Sequence, residues 1–179
     1  GARVVLAARS AARLEAVRRE IEPYTGDVLV CPADLMDEAQ LQSVVARTLE
    51  RFGRIDVLVN NAGYWQGGRL VDLDPARMEQ VVRLNLWATM RLTQLVLPTM
   101  LAQHSGYIMN VASGFGRVAV PMVSTYVATK FGVAGFSDAL RRELGGSGVR
   151  VTLVLPAWTN TDIVPPERAE VLQRYGFHI

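Results

Sequence analysis

Short, nearly continuous apolar runs alternate along this chain with longer segments in which apolar residues recur every three or four positions. The runs are RVVLAA at 3–8, DVLVCPA at 27–33, VRVTLVLPA at 149–157, GYIMNVAS at 106–113, and IDVLVNNAG at 55–63, which runs on into a loop. Each is too short for a helix and rich in β-branched residues, so each predicts a strand. The segments between them carry helix start and stop signals. Ser10 caps a predicted helix over 10–22 with Leu14, Val17 and Ile21 on one face. Asp37 opens a helix over 37–53 that Gly53 ends. Asp74 followed by Pro75 opens a long helix over 74–103, and further helices are predicted over 124–145 and 165–175. Strands that are apolar at consecutive positions are covered on both faces, which predicts a parallel sheet between helix layers. The fold class is therefore α/β, a doubly wound parallel sheet, with right-handed crossovers.

Composition narrows the picture. A chain of 179 residues, half of them hydrophobic and a fifth charged, suits one soluble domain spanning 1–179, and linkers are too short for a second. The net charge of +2 is spread among mixed signs, so there is no electrostatic case for nucleic acid or an anionic membrane. Cys31 is alone, which rules out an internal disulfide. His104 and His178 lie far apart with no cysteine near either, so no metal site is expected; His104 reads as a cation at a helix C-terminus. No apolar run approaches the ~20 residues of a membrane span. No signal-peptide pattern opens the chain, and the expected location is cytoplasmic.

In doubly wound sheets ligands bind beyond the carboxyl ends of the strands, so the residues after each run carry the functional information. The first strand is followed by Arg9, whose guanidinium suits a ribose 2′-phosphate, with an ordinary surface arginine as the alternative. The second is followed by Asp34, and the third by Asn60, Asn61, Ala62 and Gly63, where small residues let a ligand approach the backbone. Ser113, then Gly114 and Gly116, follows the fourth; PAWTNT, from Pro156 to Thr161, follows the fifth. Tyr126 and Lys130 stand four positions apart in a predicted helix and share a face. A free phenol, with a pKa of about 10, is a poor base. An ammonium roughly 5 Å away in a medium of dielectric about 20 contributes about 3 kcal/mol, which predicts a phenol pKa about two units lower.

Taken together, NNAG at 60–63, Asn85 in VRLNLWATM, and Ser113 separated by twelve residues from YVATK at 126–130 resemble the classical short-chain dehydrogenases/reductases. Asp34 and PAWTNT match more loosely, and the motifs follow the family's order along the whole chain. The resemblance implies a Rossmann-like fold and hydride transfer between NADP(H), with NAD less favoured, and a small carbonyl or secondary-alcohol substrate. It implies Tyr126 as general acid/base, Lys130 as the group that tunes it and bonds the nicotinamide ribose, and Ser113 as the holder of the substrate oxygen. Asn85 would order a proton-relaying water. Asp34 would contact the adenine; Asn60, Ala62 and Gly63 the cofactor backbone; Pro156 and Thr161 the nicotinamide end. A homodimer or homotetramer is implied, and Phe115, Met122, Trp158 and residues 162–179 are expected around the substrate.

The chain also departs from the pattern. GARVVLAAR matches the family's second strand, and no G-x-x-x-G-x-G turn occurs among the 179 residues. The first strand, central in the order 3-2-1-4-5, is missing, as is the last; the strands on either side of the missing one are expected to have unpaired edges facing a gap. A catalytically inactive fragment, or a nucleotide-binding or scaffold protein without the pyrophosphate loop, is the alternative function. Ala157 stands where the family has glycine.

Overall fold

In the computed structural model, residues 1–157 are described. Five strands and five helices follow one another: β1 (Arg3–Ala8), α1 (Ala11–Ile21), β2 (Asp27–Pro32), α2 (Glu38–Phe52), β3 (Val57–Asn60), α3 (Pro75–Val82), α4 (Ala88–Ala102), β4 (Gly106–Val111), α5 (Ser124–Glu143) and β5 (Val149–Val154). The caps are those the sequence predicts. Ser10 accepts from the Arg13 amide at 3.3 Å, Asp37 from Gln40 at 2.9 Å and Asp74 from Ala76 at 3.0 Å. Gly53 ends α2 in the left-handed conformation, φ 70°, that only glycine adopts without cost. The helix predicted over 165–175, together with Trp158, Thr161 and His178, lies outside the described residues.

All strand pairs are parallel, and the fold is Rossmann-like. The strands form two sheets, β1–β2 and β3–β4–β5. The gap falls between β1 and β3, where the unpaired edges are expected. It is a cleft of about 940 Å³ bounded by Arg3–Ala8 on one side and Val57–Asn60 on the other. The helical layer bridges it. Arg91 of α4 forms a bidentate pair with Glu38 of α2, and Ala88, Leu92 and Leu95 of α4 pack on Leu41 and Val44 of α2.

Two expectations need correcting. The sequence predicts one unbroken helix over 74–103; the structure has a π-helical turn, Arg83–Trp87, between α3 and α4. Strands apolar throughout predict cover on both faces; among the described residues β3–β5 are covered on one. There Ile108, Val149 and Val151 pack against Val96, Met100 and Leu140 of α4 and α5. On the other face Val57 and Val59 are more than half exposed, and Tyr107 and Met109, their neighbours across the ladder, are exposed as well. The alternation arises because, among the described residues, both helices packed on this sheet lie on one side of it.

Candidate active site

The carboxyl end of β4 and the first turns of α5 form the centre of the site. Gly116 makes their approach possible: a Cβ there would stand 2.9 Å from the Lys130 carbonyl oxygen, inside van der Waals contact with backbone. The loop carrying Ser113 therefore lies flat on α5. Ser113 is extended (φ −173°), and its hydroxyl accepts from the Phe115 amide at 3.2 Å. Tyr126 and Lys130 are both buried on the inner face of α5. The Lys130 ammonium donates to the Val111 carbonyl oxygen at 3.1 Å and sits 5.5 Å from the centre of the Tyr126 ring. Phe115 meets that ring edge-on at 6.5 Å, and Trp65, Val123 and Val127 complete the apolar wall around it.

The electrostatics reverse the sequence-based expectation for Tyr126. Burial pushes the phenol pKa above its usual 10, and a hydrogen bond with Ser113 only partly opposes this. The Lys130 pKa itself falls from 10.5 to about 8 because burial removes water from the ammonium. Helical spacing alone treats the lysine as a fixed, solvated charge. Inside the protein both groups are desolvated, and desolvation favours neutral tyrosine and neutral lysine alike.

The π-helical turn places Asn85, which is 1% exposed. Its Oδ1 accepts from the Tyr64 amide at 2.7 Å, and its Nδ2 donates to the Tyr64 carbonyl at 2.9 Å and to Thr129 Oγ1 at 3.2 Å. Thr129 in turn donates to the Tyr126 carbonyl at 2.7 Å. Asn85 thus clamps the loop after β3 to the helix that carries Tyr126 and Lys130. Gly63 lies in the clamped loop, and a Cβ there would be 3.7 Å from both Lys130 Nζ and Asn85 Oδ1.

Asn60 points inward. Its Nδ2 donates to Thr93 Oγ1 at 3.0 Å and Asn110 Oδ1 at 2.9 Å, and Asn110 passes the chain to Ser137 at 2.9 Å. This buried relay ties β3, β4, α4 and α5 together beneath the site. Trp65, Thr93, Asn110, Thr129 and Ser137 are not among the residues the sequence motifs single out. An asparagine in the middle of an apolar strand, as in YIMNV, is the signal that could have revealed the relay.

Ser113, Tyr126, Lys130, Asn85 and Gly63 come together on the β3–β5 sheet. Arg9 and Asp34 lie on the β1–β2 sheet, Arg9 exposed just past β1 and Asp34 Oδ1 accepting from the Met36 amide at 2.9 Å. Ala62 lines the cleft between the sheets. Pro156 follows β5, and its carbonyl accepts from Gly114 N at 2.9 Å, which joins the last loop to the Ser113 loop. Among the described residues no cluster of His, Cys, Asp or Glu could hold a metal ion, and no helix is long and apolar enough to cross a membrane. Met122 is not on the Tyr126 wall; it adopts φ 69° and borders a separate small hollow with Gly67 and Gly68.

A parallel α/β fold with a serine–tyrosine–lysine cluster at the carboxyl edge of its sheet defines a class of dinucleotide-dependent enzymes. The chain belongs to the short-chain dehydrogenase family, whose sequence profile matches residues 1–172. It is 34% identical over 171 residues to a 3-oxoacyl-(acyl-carrier-protein) reductase of Thermotoga maritima, covering 94% of this chain and 70% of that protein. It is 35% identical to the ketoacyl reductase HetN of Nostoc, covering 89% of this chain and 55% of that protein. A variant actinorhodin polyketide ketoreductase solved with NADPH superposes with a TM-score of 0.87 at 35% identity, over 97% of this chain and 66% of that one. The chain thus spans between about half and seven-tenths of these relatives' lengths.

Proposed function

We propose that the chain carries the reaction centre of an oxidoreductase that interconverts a carbonyl and a secondary alcohol with NADP(H). The observation that carries this reading is the convergence of half-buried Ser113 with buried Tyr126 and Lys130 in one cluster. The residues present suit the nicotinamide end of a dinucleotide. An ammonium has three donors; one of Lys130's goes to Val111, and the pocket beside Gly63 is where ribose hydroxyls would take the others. When bound, the dinucleotide supplies or accepts the hydride. Ser113 holds the substrate oxygen. Tyr126 gives its proton to that oxygen in reduction and takes it back in oxidation. Lys130, Gly63 and Ala62 hold the nicotinamide ribose and adjoining backbone, with Pro156 and Thr161 at the carboxamide. Arg9 meets the 2′-phosphate and Asp34 the adenine. Asn85 is a positioning residue that fixes the Gly63 loop against α5.

A phenol whose pKa is raised stays protonated at neutral pH, the form that donates a proton in reduction. The apolar wall of Trp65, Phe115 and Val127 suits a ketone with a lipophilic body. The relatives named above are reductases of oxoacyl and polyketide carbonyls, which supports the same substrate class. The complete enzyme is expected to be a cytoplasmic homodimer or homotetramer. A second reading, a nucleotide-binding or scaffold chain without turnover, is favoured by the cleft between β1 and β3, which lies between Arg9 and the reaction centre.

The first test is a fluorescence titration with NADPH and NADH, read by energy transfer from tryptophan to the reduced nicotinamide. Saturable binding, tighter for NADPH, is expected. Turnover of a lipophilic ketone should fall about 10²–10⁴-fold in Tyr126→Phe while NADPH still binds. Equal turnover in the variant sinks the proposed chemistry, and binding without turnover in either protein favours the second reading.

A further inference from the structure

Resting on the oxidoreductase reading above, we propose that Trp65 is a specificity-determining residue, an indole cover over Tyr126 that a ketone displaces to reach the phenol. Tyr126 is 7% exposed, too little for a ketone skeleton to lie against it unless a neighbour moves. Those neighbours are Val123, Val127, Phe115 and Trp65. Three of them are fixed by their elements. Val127 N donates to the Val123 carbonyl at 2.8 Å in the opening turn of α5. Phe115 belongs to the short turn Gly114–Gly116, which Ser113 caps and Gly116 presses onto Lys130. Trp65 alone stands in irregular chain, between β3 and a short helical turn at Leu70–Asp72.

Two backbone anchors leave its indole free to turn between them. Asn85 holds both backbone groups of Tyr64, and Gly68 N donates to the Met122 carbonyl at 2.6 Å. Between the anchors lie Trp65, Gln66 and Gly67. The indole rests on Gly67: a Cβ there would stand 2.5 Å from Trp65 Cζ2, so the ring lies down only on a residue without a side chain. The closed position is poised to open. Trp65 Nε1 is buried without a hydrogen-bond partner among the described residues. So are Oε1 of its chain neighbour Gln66 and Oγ1 of Thr125, the chain neighbour of Tyr126. Each is cut off from water with no bond in exchange, which weakens the closed state. A hollow of about 230 Å³ bordered by Gly67, Gly68 and Met122 gives the turned ring room. Asp72 on its rim carries a carboxylate that can accept the indole N–H. A small ketone needs a slight turn of the ring, whereas a bulky one needs the whole space the indole fills, so Trp65 discriminates by size.

The full chain is tested in two ways. The first reads the cover directly, as exchange of the Trp65 indole N–H with water by NMR, the signal assigned by its loss in Trp65→Phe. Gly67→Ala adds a methyl where the ring rests, and Gly67 lies outside the positive-φ region that demands glycine. Indole exchange should be at least tenfold faster in this variant, with the amides of β4 still protected. The second measures NADPH-dependent reduction of acetone and benzylacetone. The ratio of kcat/KM for benzylacetone to that for acetone should rise at least tenfold in Gly67→Ala and in Trp65→Ala. If the added methyl also loosens β4, Trp65→Ala decides the matter alone. Unchanged indole exchange in a folded Gly67→Ala, or a size preference that Trp65→Ala leaves unaltered, overturns the inference and leaves the oxidoreductase reading standing. Faster indole exchange without turnover of either ketone by any of the proteins overturns that reading, and the selectivity falls with it.

Discussion

Replacing Lys130 with methionine should make this protein more stable near neutral pH while abolishing its proposed chemistry. Lys130 is 4% exposed, and burial lowers its pKa from 10.5 to about 8. That difference corresponds to about 3 kcal/mol, the cost of folding around the charged form. The sign follows from proton binding. Between pH 8 and 10.5 the unfolded lysine is protonated and the folded one largely is not, so stability rises with pH through this window. Below pH 8 the full cost is present; above 10.5 it is gone. Methionine keeps an unbranched apolar stem and removes the charge, but it leaves the Val111 carbonyl oxygen without its 3.1 Å donor. That loss costs about 1 kcal/mol. The variant should therefore gain about 2 kcal/mol at pH 7, which for a chain of this size raises Tm by about 4–8 °C. Near pH 10.5 the difference should reverse sign, with the variant about 1 kcal/mol less stable. Urea unfolding of both proteins at pH 7 and pH 10 measures this. A variant less stable at pH 7, or a gap that does not change with pH, would refute the reasoning. An ammonium that weakens the fold yet sits beside Tyr126 is what a stability–activity trade-off looks like in a single side chain.

Three further outcomes are expected. Gly148→Ala should cost more than about 2 kcal/mol in urea unfolding, because φ is +85° and the new Cβ would lie 2.0 Å from the His104 carbonyl oxygen. Asn110→Ala should cost about 1–3 kcal/mol, since Asn60 and Ser137 each lose a buried partner, and Asn110→Gln should not restore it, because the longer amide misplaces both bonds. Arg9→Ala should weaken NADPH binding at least tenfold in the fluorescence titration and leave NADH nearly unchanged; equal losses for both would remove Arg9 as the phosphate reader.

The strands, the helix caps and the pairing of Tyr126 with Lys130 were legible in the sequence because each is a local signal. Ser10, Asp37 and Asp74 announce helices through their own side chains, and Tyr126 and Lys130 share a face by spacing alone. What was hidden depends on three-dimensional surroundings. Nothing in VVRLNLWATM marks a π-helical turn: it has no glycine or proline, and the turn makes sense only once Asn85 is seen gripping both backbone groups of Tyr64. Helical spacing placed the lysine near the phenol but could not reveal that both are stripped of water, and that reversed the direction of the tyrosine pKa. Asn60 looked like a ligand contact because it follows a strand; its amide is committed to Thr93 and Asn110 beneath the sheet.

The split sheet divides the proposed site along a physical boundary. Ser113, Tyr126, Lys130, Asn85 and Gly63 are fixed by hydrogen bonds and close packing within the β3–β5 half, and none of those contacts crosses the cleft. Arg9 and Asp34 belong to the β1–β2 half. The halves are joined through the helical layer, by Arg91 with Glu38 and by Arg83 Nε donating to the Met36 carbonyl at 2.8 Å. Acid–base geometry therefore depends on one half alone, whereas gripping both ends of a dinucleotide depends on how firmly the other half is held.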